Sequence, residues 1–171
     1  MTILETKRLI LRTWTLDDAP DLFEICGDVE VMRYIGTGKP YETIGQADEF
    51  LRWATAYQKE NGFCRWAVTL KENSEIIGSC GFARPHATEE IELGYLLARK
   101  FWGKGLATEA AGACLNYGFG KLEFRETIAL TDLENVASQR VLEKIGFVRR
   151  GIELFNGEEN LVYLANRKSF Q

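Results

Sequence analysis

The sequence of 171 residues has a single histidine, His86, and no run of basic residues. A serine–histidine–aspartate or cysteine–histidine arrangement would have only that imidazole to use. The four cysteines, Cys26, Cys64, Cys80 and Cys114, stand far apart and form no CxxC pair. A zinc site needs paired spacing and more histidine, so no metal is expected. In a cytosolic protein such thiols read as small buried hydrophobes. The formal net charge is only −4. A nucleic-acid footprint needs clustered Lys and Arg, so neither nucleic acid nor an anionic membrane surface is an expected partner. No apolar run approaches the ~20 residues that span a bilayer. The opening "MTILETKRLILR" alternates and carries charge, which does not read as a signal peptide. A cytoplasmic location is expected.

What is present suits one domain over residues 1–171 with a substantial core. "RLILR" (8–12) reads as a strand. Thr15 and Asp18 have capping-box spacing, and Leu16, Ala19, Phe23 and Cys26 recur at helical intervals. Pro20 falls in the first turn, where it is tolerated. "GDVEVMRYIGTGKP" reads as loop with a short helical piece. Thr43 and Gln46 repeat the capping pattern before a stripe of Ile44, Ala47, Leu51 and Ala54, widened by Phe50, Trp53 and Tyr57. Gly62 closes that helix.

The period then changes from 3.6 to 2. Trp66, Val68 and Leu70 alternate, "KENS" turns, and "EIIGSCGF" continues as a strand. In "EEIELGYLL" (89–97), Ile91, Leu93, Tyr95 and Leu97 share one face, and Glu90, Glu92, Gly94 and Leu96 the other. A helix rich in small residues follows over Leu106 to Phe119, then the strand "ETIALT". "NVASQRVLEKIG" is a helix with Val141, Leu142 and Ile145 as core candidates. "FVRRGIELF", "NG" at 156–157 and "LVYLA" form a hairpin with a two-residue turn. The order predicts a mixed α/β (α+β) domain. Its successive hairpins argue against an all-parallel, doubly wound sheet.

"FWGKGLATEA" (101–110) is neither a Walker loop nor a dinucleotide fingerprint, because Thr108 stands where a third glycine belongs. Its context points further. A strand leads in, a helix starts after the glycines, and helix-start amides favour negative charge. Without side chains at Gly103 and Gly105 a phosphate can reach those amides, with Lys104 adding charge. A tight capping turn is the other reading of these residues.

"IELGYLLARKFWGKGLATEA" followed by "NVASQRVLEKIGF" resembles the GCN5-related N-acetyltransferases (the GNAT superfamily). It is most similar to the branch of ribosomal-protein alanine and spermidine acetyltransferases. The resemblance implies a central mixed, mostly antiparallel sheet of about seven strands, splayed in the middle and flanked by helices. It implies acetyl transfer from acetyl-CoA to an amine by direct attack, without metal. The expected acceptor is a protein N-terminal α-amine. A small amine such as a polyamine, amino acid or aminoglycoside is the alternative, as is a non-catalytic acyl-CoA sensor. The expected assembly is a monomer or homodimer.

Residue by residue, the resemblance gives the coenzyme pyrophosphate to the backbone of Gly103, Lys104, Gly105, Leu106, Ala107 and Thr108. Trp102 stands where the family usually has Gln or Arg. Tyr95, Leu96 and Leu97 would border pantetheine, with an N–H near 96 or 97 facing the thioester carbonyl. Asn135 would contact the cofactor arm or cap its helix. Leu142 occupies the position of the family's usual general-acid tyrosine. By resemblance to the ribosomal-protein branch Ser138, the nearest hydroxyl in the motif, would protonate the thiolate, or it is a structural hydroxyl in the first turn of its helix. Glu92 matches a family base, or forms a cross-strand ion pair; Glu90 and His86 are the further choices. Glu109 is an acid near the phosphates, or a first-turn carboxylate that complements the helix dipole.

Overall fold

The computed structural model describes residues 1–84, 89–155 and 157–169. Among the described residues eight strands form one sheet in the order β1-β2-β3-β4-β5-β6-β8-β7. They are β1 (Thr2–Glu5), β2 (Leu9–Arg12), β3 (Arg65–Leu70), β4 (Ile76–Ala83), β5 (Glu92–Leu97), β6 (Glu126–Thr131), β7 (Val148–Phe155) and β8 (Glu158–Asn166). Five helices accompany them: α1 (Ala19–Cys26), α2 (Val29–Met32), α3 (Ile44–Asn61), α4 (Leu106–Gly120) and α5 (Val136–Lys144). Every neighbouring pair is antiparallel except β5 and β6. This is the mixed, mostly antiparallel sheet flanked by helices that the family resemblance implies.

The strand count is eight rather than about seven. The additional strand, β1, is a half-exposed edge that pairs only with β2. An edge strand with one neighbour needs no continuous apolar run, so its pattern is weak. A second departure concerns Leu16. It lies in a short 3-10 turn before α1 and is half exposed, so the buried stripe is Ala19, Leu22, Ile25 and Cys26. Ile44 likewise points outward, while Ala47, Leu51 and Ala54 are buried. Asn156, half of the expected two-residue turn, lies outside the described residues.

β4 is buried along its whole length, with α1 and α4 both packed on it. The small residues of α4 permit close approach. A Cβ on Gly118 would sit 2.7 Å from the Phe82 ring. Phe63, Phe82 and Phe124 make edge-to-face contacts around that point, which favours aromatic packing over slippage. Burial pushes the Cys26 thiol up to about 12 and the Cys64 thiol to about 11, as expected of buried thiols.

Asp18 fixes the entry to α1. Its carboxylate accepts two N–H groups from Arg12 and the backbone N–H of Thr15, each at 2.8 Å. Burial alone would raise its pKa, but the hydrogen bonds from Arg12 and Thr15 prevail and hold it below the ordinary value. A depressed carboxylate stabilises the fold above its unfolded pKa and loses that contribution as pH falls through the folded one. Asp18→Asn is expected to cost about 1.5–3 kcal/mol at neutral pH. In thermal melts the gap between variant and wild type should close below about pH 4. A gap that stays constant from pH 7 to pH 3 would contradict this role.

Candidate active site

β5 and β6 share one register pair, Glu92 opposite Ile128. The junction is closed by Ile128 N–H and Thr127 Oγ1, which both donate to the Ile91 carbonyl at 2.8 Å. Beyond it the two strands part, while β5 stays paired with β4 through Leu97. In an antiparallel pair alternate residues turn their N–H and C=O to the partner. Ala98 N–H donates to Ile77 C=O at 2.8 Å, which sets the alternation. Glu92, Gly94 and Leu96 therefore face β4, and Leu93, Tyr95 and Leu97 face the gap. Of the two expected donors, Leu97 N–H points into the opening and Leu96 N–H does not. The Leu97 carbonyl is already occupied by Trp102 Nε1, at 2.7 Å. Trp102 thus replaces a polar family residue with a tie between strand end and loop.

The loop reaches α4 through two left-handed glycines, Gly103 at φ 72° and Gly105 at φ 73°. Gly105 is the helix N-cap, and no side chain caps the helix. Glu109 N–H, donating to Gly105 C=O at 3.1 Å, is the first bond of the helix. The amides of Leu106, Ala107 and Thr108 are therefore left without helical partners. A Cβ at Gly103 would meet nothing within 4 Å, and one at Gly105 only the Arg8 guanidinium at 3.7 Å. An open turn of bare amides at a helix start fits a pyrophosphate. Lys104 Nζ lies over the Phe101 ring, 5.3 Å from its centroid.

Glu109 does more than complement a dipole. Its carboxylate accepts from Thr6 Oγ1 at 2.6 Å, Arg8 N at 2.8 Å and Arg8 Nε at 2.6 Å. Arg8 Nη1 also donates to the Lys104 carbonyl at 2.9 Å. The turn between β1 and β2 therefore holds the glycine loop. Burial pushes the Glu109 carboxyl up, but these hydrogen bonds outweigh it and lower its pKa.

On the other side of the gap, Asn135 caps α5, its Oδ1 accepting from Ser138 N at 3.2 Å. Ser138 Oγ lies 2.8 Å from Tyr95 Oη, and either hydroxyl can donate. Burial keeps the Tyr95 phenol protonated, with a pKa raised far above the ordinary tyrosine value. Leu142 is core at 1% exposure. Hydroxyls thus come from Tyr95 and Ser138, and the tyrosine is supplied by β5 rather than α5. Glu92 pairs with Arg65 Nη2 at 2.8 Å. Glu90 is engaged by Arg150. His86 lies outside the described residues.

One cleft of about 1790 Å³ runs past the loop, Asn135 and Ser138 to Glu92 and Arg65. Tyr34, Tyr41, Phe50 and Trp53 line its far end, whereas Trp14 and Trp66 are buried core. Arg65 and Arg8 carried no signal in the sequence, because register alone brings them to their partners. Among the described residues no group of three or more His, Cys, Asp or Glu could hold a metal, and no helix is long and apolar enough to cross a membrane.

Residues 8–148 match the family model described as an acetyltransferase (GNAT) domain. The uncharacterized N-acetyltransferase p20 of Bacillus licheniformis is 33% identical over 153 residues, spanning 89% of this chain and 85% of that protein. An acetyltransferase (GNAT family) structure from Bacillus anthracis superposes with a TM-score of 0.84 at 27% identity, covering 98% of this chain and 99% of that one. The ribosomal L7/L12 alpha-N-protein acetyltransferase RimL, solved with coenzyme A, shares the fold at a TM-score of 0.83 and 15% identity, covering 97% of this chain and 98% of its own.

The Arg8–Glu109 tether gives a quantitative expectation. Arg8→Ala and Glu109→Gln should each weaken coenzyme A binding by about 3–10-fold. The double variant should be little worse than either, because both break one unit. Calorimetric titration decides it, and additive losses would count against a shared tether.

Proposed function

The chain belongs to the GNAT acetyltransferase family and is an acetyl-CoA-dependent acyltransferase; from this we propose that it acetylates a primary α-amine by direct attack. The observation that carries the reading is the open edge of β5, with Glu92 on one face of the strand and Tyr95 on the other. Residues of opposite parity point to opposite faces. A thioester lying along the gap would then have a carboxylate on one side and the Tyr95–Ser138 hydroxyls on the other. The amide of Leu97 faces the gap between them.

The steps follow from that arrangement. The acceptor's ammonium gives a proton to Glu92, directly or through water, and the neutral amine attacks the thioester carbon. The new C–N bond forms as the C–S bond breaks, and the carbonyl oxygen carries transient negative charge. Leu97 N–H is aimed to stabilise that charge. The leaving thiolate takes a proton from Ser138 Oγ, 2.8 Å from Tyr95 Oη, and the second proton that the nitrogen sheds as the amide forms returns through solvent to restore Ser138. Gly103 to Thr108 hold the pyrophosphate, and Asn135 keeps the start of α5 facing the arm of the coenzyme.

An α-amine suits a single carboxylate base. At a peptide N-terminus its pKa is about 7.7–8.0, against about 10.4 for lysine, so less work is needed to expose the lone pair. A protein N-terminus offers that group with this low pKa, and RimL acts on a protein α-amine within the same fold. A free amino acid offers it too, with its own carboxylate raising the pKa of the ammonium. Glu92→Gln should lower kcat/KM by roughly a hundredfold or more while coenzyme A binds as before. Ser138→Ala and Tyr95→Phe should lower kcat with little change in coenzyme affinity. Thiol release with a panel of α-amines measures all three. Full activity in Glu92→Gln at neutral pH would remove Glu92 as the base.

A further inference from the structure

The cleft contains a charge that acetyl transfer does not itself require. Arg65, at the start of β3, reaches across β4 to Glu92 on β5. Its path is kept open by glycine: Arg65 stands opposite Gly81, and Gly81 opposite Gly94. A Cβ on Gly94 would lie 2.7 Å from Arg65 Cζ and 2.8 Å from both Nε and Nη2. The guanidinium therefore lies flat on Gly94, and any other residue there would displace it.

Arg65 spends one nitrogen on Glu92. Nε is buried without a hydrogen-bond partner, and Nη1 has none among the described residues. A guanidinium offers five N–H donors in a planar fork suited to carboxylates. The side chain is 29% exposed and lines the cleft, so the fork is both under-used and within reach of a ligand. Charge makes the same point. When Glu92 accepts the acceptor's proton it becomes neutral, and Arg65 loses its only described anionic partner. An uncompensated, partly buried cation is costly. A carboxylate carried by the acceptor would restore the pairing at that step.

The rest of the cleft describes the acceptor's body. Phe50 and Trp53 of α3 meet at a 47° tilt with centroids 5.4 Å apart, and line the same space as Tyr34 and Tyr41. Trp53 remains 39% exposed. We propose that the acceptor is a free α-amino acid with an aromatic or large apolar side chain. Its ammonium meets Glu92, its carboxylate meets Arg65, and its side chain lies on the aromatic wall of α3. This deepens the transfer reading above and rests on it.

The test compares four amines with the full chain and acetyl-CoA: L-phenylalanine, L-alanine, 2-phenylethylamine, and a short peptide with N-terminal phenylalanine. Phenylalanine should exceed phenylethylamine in kcat/KM by about 10–100-fold, the value of one charged contact. It should also exceed the peptide. In Arg65→Lys, which keeps the charge but loses the fork, the phenylalanine-to-phenylethylamine ratio should collapse toward one whatever the absolute rates. Trp53→Ala should erase the preference for phenylalanine over alanine. Turnover without preference for phenylalanine, a ratio that survives in Arg65→Lys, or a better rate with the peptide would each overturn the acceptor class while leaving acetyl transfer standing. No turnover on any α-amine, with coenzyme A still bound, would overturn the transfer reading and this one with it.

Discussion

A parallel strand pair that ends after one register pair sets the layout of the site. β5 is held by β4 along its whole length, so it does not collapse when β6 departs beyond Ile128. The cost of the opening is a set of backbone groups on β5 with no strand to meet them. Buried backbone donors and acceptors need partners. One of these groups, the Leu97 carbonyl, is satisfied by the Trp102 indole. The others face a cleft that a linear, amide-bearing chain fits as an added strand would. The proposed catalytic groups are arranged around this edge, with Glu92 and Tyr95 on opposite faces of the strand that provides it.

The glycine loop depends on distant support for the same reason. Its left-handed turns present amides because nothing caps the start of α4. A loop of that kind would be mobile if left alone. The Arg8–Glu109–Thr6 cluster pins it from outside and binds the Lys104 carbonyl. The sheet edge thus does more than close the fold: the turn that follows β1 positions the glycine loop about 100 residues away.

Much of this was legible in the sequence wherever the signal is local. The alternation of 91–97, the glycines before a small-residue helix and the capped start at Asn135 all lie within a few neighbouring residues. Structure was needed where the signal is long-range. Arg65 and Glu92 are separated by 27 residues and meet only because the registers of β3, β4 and β5 align them. Ser138 is visible in its motif, but its partner Tyr95 lies 43 residues earlier, where the sequence pattern marks only a strand position. The carboxylate of Glu109 resembled an ordinary first-turn acid for the same reason. β1 escaped because a half-exposed edge strand shows no clean alternation.

The central claim is that the coenzyme arm adds to the free edge of β5. Amide hydrogen exchange, read by nuclear magnetic resonance with and without coenzyme A, tests it at single residues. The account predicts that Tyr95 and Leu97 slow on binding, whereas Gly94 and Leu96, already bonded to β4, stay unchanged. Protection that ignores this alternation, or none in β5 at saturating coenzyme A, would contradict it.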